Sequence, residues 1–211
     1  MKTTTLCTGA FEENCHLFAG GDGRVWIVDP GAQAEDIIVA AAELGGDVGG
    51  ILLTHAHFDH IGALPGLQER WPDVPVYVHP ADLLMFGHPM NAYPPEYPAI
   101  LKPRNIVLLD EKAMASLPCV TIHTPGHTPG SVCYLLKDIG CMFSGDTLFC
   151  GSIGRTDLPL GDTAQIMKSL DLLCKLPGET RVMPGHGPET TIAQEIKYNP
   201  YLQKGGGALY V

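Results

Sequence analysis

Four stretches of this chain share one form, an apolar run that breaks off in histidine or aspartate: "ILLTHAHFDH" (51–60), "VTIHTPGH" (120–127), "CMFSGD" (141–146) and "RVMPGH" (181–186). Each run reads as a short strand, and each ends in groups that are costly to leave unpartnered beside a buried segment. In open α/β architectures, functional groups collect beyond the carboxyl ends of strands, where the loops converge. A fold for this chain therefore has to bring four strand ends to one shared site.

The rest of the chain supplies elements for such a fold. "KTTTLCTG", "CHLFAG" and "RVWIVDP" read as strands, the last two joined as a hairpin by "GGDG". Helical spacing follows in "GAQAEDIIVAAAELGGD", with Ile37, Ile38, Ala41 and Leu44 on the apolar side and Gly45 and Gly46 as a stop. "IGALPGLQERWP" reads as a helix and "VPVYVHP" as a strand. Residues 85–105, with five prolines and no clear periodicity, read as a long ordered loop or lid. "SVCYLLKD" and "CMFSGD" are strands joined by "DIG". "GDTAQIMKSLDLLCKLPGE" is a helix capped by Asp162 or Thr163, with Ile166, Leu170, Leu173 and Leu176 on one face. A short helix around 192–197 precedes the tail "KGGGALYV", whose Leu209, Tyr210 and Val211 either pack or fray. At 211 residues, a single domain spanning 1–211 is the expectation.

Charge and cysteine content narrow the chemistry of the shared site. Thirteen basic against 23 acidic side chains give a net charge of -10, which repels phosphate backbones and attracts divalent cations. Nucleic acid is not an expected partner. No run of 18 apolar residues and no signal-peptide pattern occurs, so the sequence reads as cytoplasmic, without a membrane partner. The seven cysteines are odd in number and form no C-x-x-C pair, so they read mostly as buried thiols rather than as a disulfide or zinc framework.

The pooled candidates are His55, His57, Asp59, His60, His127, Asp146 and His186. Five imidazoles and two carboxylates with no thiolate suit zinc, iron or manganese, and favour open catalytic coordination over a closed structural site. If the backbone after Thr54 stays extended, alternation sends His55 and His57 to one side, while Asp59 and His60 follow on a turn that can face a second position. Gly126, Gly145 and Gly185 immediately precede His127, Asp146 and His186, leaving the backbone there free of side-chain constraints.

"HAHFDH", "TPGHTPGS", "FSGDTLF" and "PGHGP", in that order and with "GSIGRTDLPLGD" and "NPYL", resemble the metallo-β-lactamase superfamily, and within it the hydroxyacylglutathione hydrolase (glyoxalase II-like) branch. The resemblance runs over almost the whole chain. It implies an α/β fold, the αββα four-layer sandwich, with two mixed β-sheets face to face and helices on the outer faces. It assigns His55, His57 and His127 to a first metal, Asp59, His60 and His186 to a second, and Asp146 to both. The cofactor is then two divalent metal ions, zinc foremost, with iron or manganese as alternatives. Such a centre can hold a bridging water, lower its pKa and polarise a substrate carbonyl, with Asp59 also helping to handle the proton. The implied activity is hydrolysis of a small-molecule thioester of the S-D-lactoylglutathione type.

Larger glyoxalase II enzymes continue into a helical domain that contacts glutathione. This chain stops at Val211, with Lys197 and Lys204 as the basic residues near its end, which leaves the thiol carrier open. Arg155 in "GRTD" is the candidate substrate contact, through a bidentate pair with a carboxylate, unless it is held by Asp157. His16, His79, His88 and His123 read as structural or surface residues. Three alternatives remain: a mononuclear iron persulfide dioxygenase using His55, His127 and Asp146, a lactonase or esterase, and a non-catalytic metal-binding protein. A secreted β-lactamase is disfavoured by the absence of a signal peptide and by Asp146, where the commonest zinc β-lactamases carry cysteine. Oligomeric state is not legible.

Overall fold

Alternation along the strands decides how the layers stack. In the computed structural model, which describes residues 2–92 and 98–203, a six-stranded sheet is formed in chain order by β1 (Thr3–Thr8), β2 (Glu13–Ala19), β3 (Val25–Val28), β4 (Val48–Leu52), β5 (Val76–Val78) and β6 (Ile106–Leu108). β1, β2 and β3 pair antiparallel, and β3 through β6 pair parallel. The second half of the chain gives β7 (Val120–His123), β8 (Val132–Leu136), β9 (Cys141–Gly145), a small hairpin of β10 (Leu148–Phe149) and β11 (Ser152–Ile153), then β12 (Arg181–Pro184) and β13 (Thr190–Thr191). Its five-stranded sheet has the order β13-β12-β9-β8-β7. β8 runs antiparallel to both β7 and β9, and β12 runs parallel to β9, so β7, β9 and β12 point the same way.

Successive residues on these strands enter different layers, as a period of two requires. Phe18, Trp26, Val28 and Leu52 of the first sheet meet Val132, Tyr134, Phe143 and Met183 of the second in a core between the sheets. Their neighbours Leu17, Val25, Ile27 and Ile51 face the other way, onto α1 (Ala34–Leu44) and α3 (Leu64–Arg70) through Ile37, Ala41, Leu64 and Leu67. Likewise Cys133, Leu135, Met142 and Val182 turn outward onto α5 (Thr163–Leu173) through Ile166, Leu170 and Leu173. Helix, sheet, sheet and helix thus form the expected four layers. Burying both faces also explains why the strands read as near-continuous apolar runs.

Local signals hold at most boundaries. Gly45, at φ 75°, ends α1, and the Asp162 side chain accepts a hydrogen bond from the Gln165 amide to start α5. α6 (Ile192–Tyr198) is the short terminal helix. The expected helix from Ile61 is instead two pieces, α2 (Phe58–Ile61), which begins inside the ligand cluster, and α3. Between β5 and β6 the chain makes 3₁₀ turns at Pro80–Met85 and Pro89–Asn91, while residues 93–97 of the expected lid lie outside the described residues, as does the tail 204–211. β6, the hairpin of β10 and β11, β13 and α4 (Glu111–Ser116) have no counterpart in the sequence reading; most are too short to show a period. Among the described residues no helix is long and apolar enough to cross a membrane.

Candidate metal centre

The loops after β4, β7, β9 and β12 meet at one edge of the sandwich. Donor atoms of His55, His57 and His127 lie within 4.8 Å of one another, and those of Asp59, His60 and His186 do the same. Asp146 stands between the two sets. Its Oδ1 is 3.3 Å from His60 Nε2, and its Oδ2 is 3.5 Å from His127 Nε2 and 3.8 Å from His186 Nε2. All seven candidate residues are therefore brought together, with the split that alternation suggests: His55 and His57 precede α2 and share one group, whereas Asp59 and His60 lie on its first turn and share the other. A third combination, Asp29, His55 and His60, is equally compact, but Asp29 already accepts hydrogen bonds from the Thr54 amide and hydroxyl.

The hydrogen bonds behind the imidazoles aim them. His127 Nδ1 donates to the Arg155 carbonyl at 2.8 Å, and His186 Nδ1 donates to the Phe11 carbonyl at 3.0 Å. His60 Nδ1 lies 3.1 Å from Asp29 Oδ2. Because the Thr54 hydroxyl donates to Asp29 at 2.5 Å, its oxygen is left to accept from His55 Nδ1 at 3.0 Å. In each of the four rings Nδ1 is held by the protein, which leaves Nε2 facing the centre, the orientation in which a histidine binds a metal once that nitrogen gives up its proton. His57 is turned the other way, presenting Nδ1 at 2.8 Å from His127 Nε2. His55 Nε2, His60 Nε2 and Asp146 Oδ1 are buried without a hydrogen-bond partner. Orphaned buried donors of this kind are costly unless something else satisfies them, and this set of nitrogens and oxygens fits divalent cations.

Electrostatics in the cluster follow from burial and mutual proximity. Burial, reinforced by His60 and the neighbouring rings, pushes His55 well below the usual imidazole value; His57 falls to about 3 for the same reason. Burial opposes charge on His60 too, but Asp146 and Asp59 outweigh it and raise that ring well above the usual value. Asp146 shows the reverse: burial raises it, and His60, His127 and His186 together hold it far below the carboxylate range. Asp59, against the same burial effect, is lowered by His60 and by a hydrogen bond from His186.

A profile of the family described as "Metallo-beta-lactamase superfamily" matches residues 8–186. The chain belongs to this superfamily. It is 39% identical to Probable metallo-hydrolase YqgX of Bacillus subtilis, over 96% of this chain and 98% of that one. It is 34% identical to hydroxyacylglutathione hydrolase GloC of Haemophilus influenzae, over 96% and 98%. Among solved structures, the protein TTHA1623 in a di-iron-bound form superposes with a TM-score of 0.86 at 40% identity, covering 94% of this chain and 100% of that one. BLEG-1 B3 metallo-beta-lactamase gives 0.86 at 37%, over 95% and 99%. ETHE1 from Myxococcus xanthus gives 0.73 at 27%, over 100% and 92%.

Within this metallo-β-lactamase fold a second ring of polar residues, of which the sequence singles out His16 alone, as structural or surface, holds the ligand loops. Asp82, fully buried, accepts from the Ala56 amide (3.1 Å), the Thr128 hydroxyl (2.8 Å) and the Gly130 amide (2.7 Å), and so ties the loop of His55 and His57 to that of His127. Asn91 binds the Ala56 carbonyl and the Phe58 amide of the first loop. On β2, Asn14 donates to the Pro184 and Gly187 carbonyls, and His16 bonds Pro184 from beneath, so β2 clamps the loop of His186. Glu13 is buried beside His60, and burial raises its pKa well above the usual value. Asp82 follows an apolar run in "VYVHPAD", a pattern that a turn explains equally well, and Glu13, Asn14 and Asn91 carry no such signal. Gly126, at φ 137° with the Ile166 backbone where a Cβ would stand, Gly145, at φ 48°, and Gly185, where a Cβ would strike Asp146 and His60, all require glycine in the ligand loops.

Arg155 lines the cavity above the centre, but its Nε and Nη2 each bond Asp157 at 2.9 Å, so its fork is occupied within its own loop. The remaining histidines have local partners. His79 stacks on His123 with centroids 4.2 Å apart, His88 accepts from the Met90 amide, and His16 stacks on Phe143. All seven cysteines are free; Cys15, Cys119, Cys133 and Cys141 are buried, as most were expected to be, while Cys7 and Cys150 are exposed.

Proposed function

We propose that this metallo-hydrolase of the superfamily cleaves thioesters of small thiols, using both metal positions. The observation that carries the reading is the presence of two adjoining donor sets with Asp146 between them, opening on a cavity large enough for a small molecule. His55, His57 and His127 would hold one ion, Asp59, His60 and His186 the other, and Asp146 would touch both. Divalent ions bound there supply Lewis acidity and lower the pKa of water.

The chain's own residues set the rest. The Nδ1 hydrogen bonds of His55, His60, His127 and His186 fix the rings before substrate arrives, so no reorganisation accompanies the reaction. Asp59 lines the cavity, 3.4 Å from His186, and is ionised by its neighbours. It is the group placed to take the proton as water attacks the thioester carbonyl. The new C–O bond forms, the C–S bond breaks, and the proton returns to the departing thiolate. Likeness to hydroxyacylglutathione hydrolase GloC supports this class of substrate.

Likeness to BLEG-1 favours a second reading, in which the same attack opens a β-lactam ring. One experiment separates the possibilities. Zinc-loaded, iron-loaded and metal-stripped protein are assayed for S-D-lactoylglutathione loss at 240 nm, nitrocefin opening and oxygen uptake with glutathione persulfide. Metal-dependent thioester loss without oxygen uptake is expected. Nitrocefin turnover alone would move the assignment to a β-lactamase, and oxygen uptake by a protein with a single iron would move it to a dioxygenase.

A further inference from the structure

The walls of the cavity say what kind of substrate fits. About 430 Å³ of space opens over His57, Asp59, His127, Asp146 and His186, within the range of small-molecule sites. Beyond those groups it is walled by Phe11, Phe58, Met85, Met90, Phe149 and Leu158. The polar residues among the described lining offer little to an anion. Asn91 is 2% exposed and spends its amide on Ala56, Phe58 and Met85. Arg155 gives two of its nitrogens to Asp157, and the chain as a whole carries a charge of -10.

We infer that the substrate carries an apolar, uncharged arm of several carbons beside its reactive carbonyl, in place of the carboxylates of a glutathione conjugate. A carboxylate lodged against phenyl and thioether walls loses its water without gaining a donor, whereas a hydrocarbon arm gains from the same surface. The two methionines suit such an arm, because an unbranched thioether adjusts to chains of different length. This rests on the thioesterase reading above.

The test compares acetyl, butanoyl, hexanoyl and octanoyl thioesters of N-acetylcysteamine, a small neutral thiol, with S-D-lactoylglutathione on zinc-loaded protein. The expected result is a rise in kcat/KM of about fourfold per methylene until the cavity is filled, the free-energy equivalent of burying each one. Hexanoyl thioester then exceeds S-D-lactoylglutathione in kcat/KM. Calorimetric affinity for the uncleavable S-hexyl thioether of N-acetylcysteamine should exceed that for the S-methyl one by a similar gradient, a readout independent of turnover. Met90→Lys should flatten both gradients. A flat series, a preference for S-D-lactoylglutathione or a gradient untouched in Met90→Lys overturns the inference while leaving the thioesterase reading in place. If protein with two metal equivalents cleaves no thioester, both fall.

Discussion

Asp82 holds two ligand loops together with three hydrogen bonds from a position without solvent. Burial raises its pKa, and the bonds from Thr128, Gly130 and Ala56 work against that rise. Replacing it by alanine leaves the Ala56 and Gly130 amides buried without an acceptor, while the Thr128 hydroxyl keeps only the Ser131 hydroxyl. The expected cost is about 3 kcal/mol, on the scale at which unmade buried hydrogen bonds count. Urea denaturation of Asp82→Ala checks it, with exposed Asp73→Ala as a control that should stay within about 0.5 kcal/mol of the parent chain. The candidate ligands are legible in the sequence and Asp82 is not, for a physical reason. A histidine pair after a buried strand has few structural uses, whereas a lone aspartate in "HPADLL" has many, and only the fold shows that it faces Ala56 and Gly130.

Strand ends carry most of what the sequence discloses. β4, β9 and β12 could be read because burial on both faces makes them continuous apolar runs, and their termini put His55, Asp146 and His186 in reach of one another. β6 and the hairpin of β10 and β11 escaped notice because two or three residues show no period. The role of β2 was also hidden. Nothing in "ENCHLFA" announces that Asn14 and His16 grip a loop some 170 positions away, where their partner is the Pro184 carbonyl. From that grip follows an asymmetric effect: Asn14→Ala should loosen the metal position of Asp59, His60 and His186 and spare that of His55, His57 and His127. Titrating each ion against a chromophoric chelator checks this. One affinity should fall by about tenfold or more, on the scale of lost supporting contacts to a metal site, with the other unchanged.

For the whole molecule, stability should depend on acidity through histidines outside the metal cluster. Burial lowers His16 from the usual 6.5 to about 4, and burial together with His123 lowers His79 to about 4. His16 bonds the Thr5 hydroxyl at Nδ1 and the Pro184 carbonyl at Nε2, a pairing that the neutral ring satisfies. Between pH 6.5 and 4 the unfolded chain binds protons at these rings that the folded chain refuses, so folding stability falls as pH drops through that window. Denaturation midpoints measured at pH 7 and pH 5 should show the loss, and His16→Gln should show less of it.

If the proposed function holds, two ions sit side by side in one edge of this sandwich. An anomalous difference map from crystals of the zinc-loaded protein, collected at the zinc edge, tests it most directly. Two peaks are expected, one among His55, His57 and His127 and one among Asp59, His60 and His186, with Asp146 between them. A single peak at full occupancy, with the second donor set closed on itself, would contradict it.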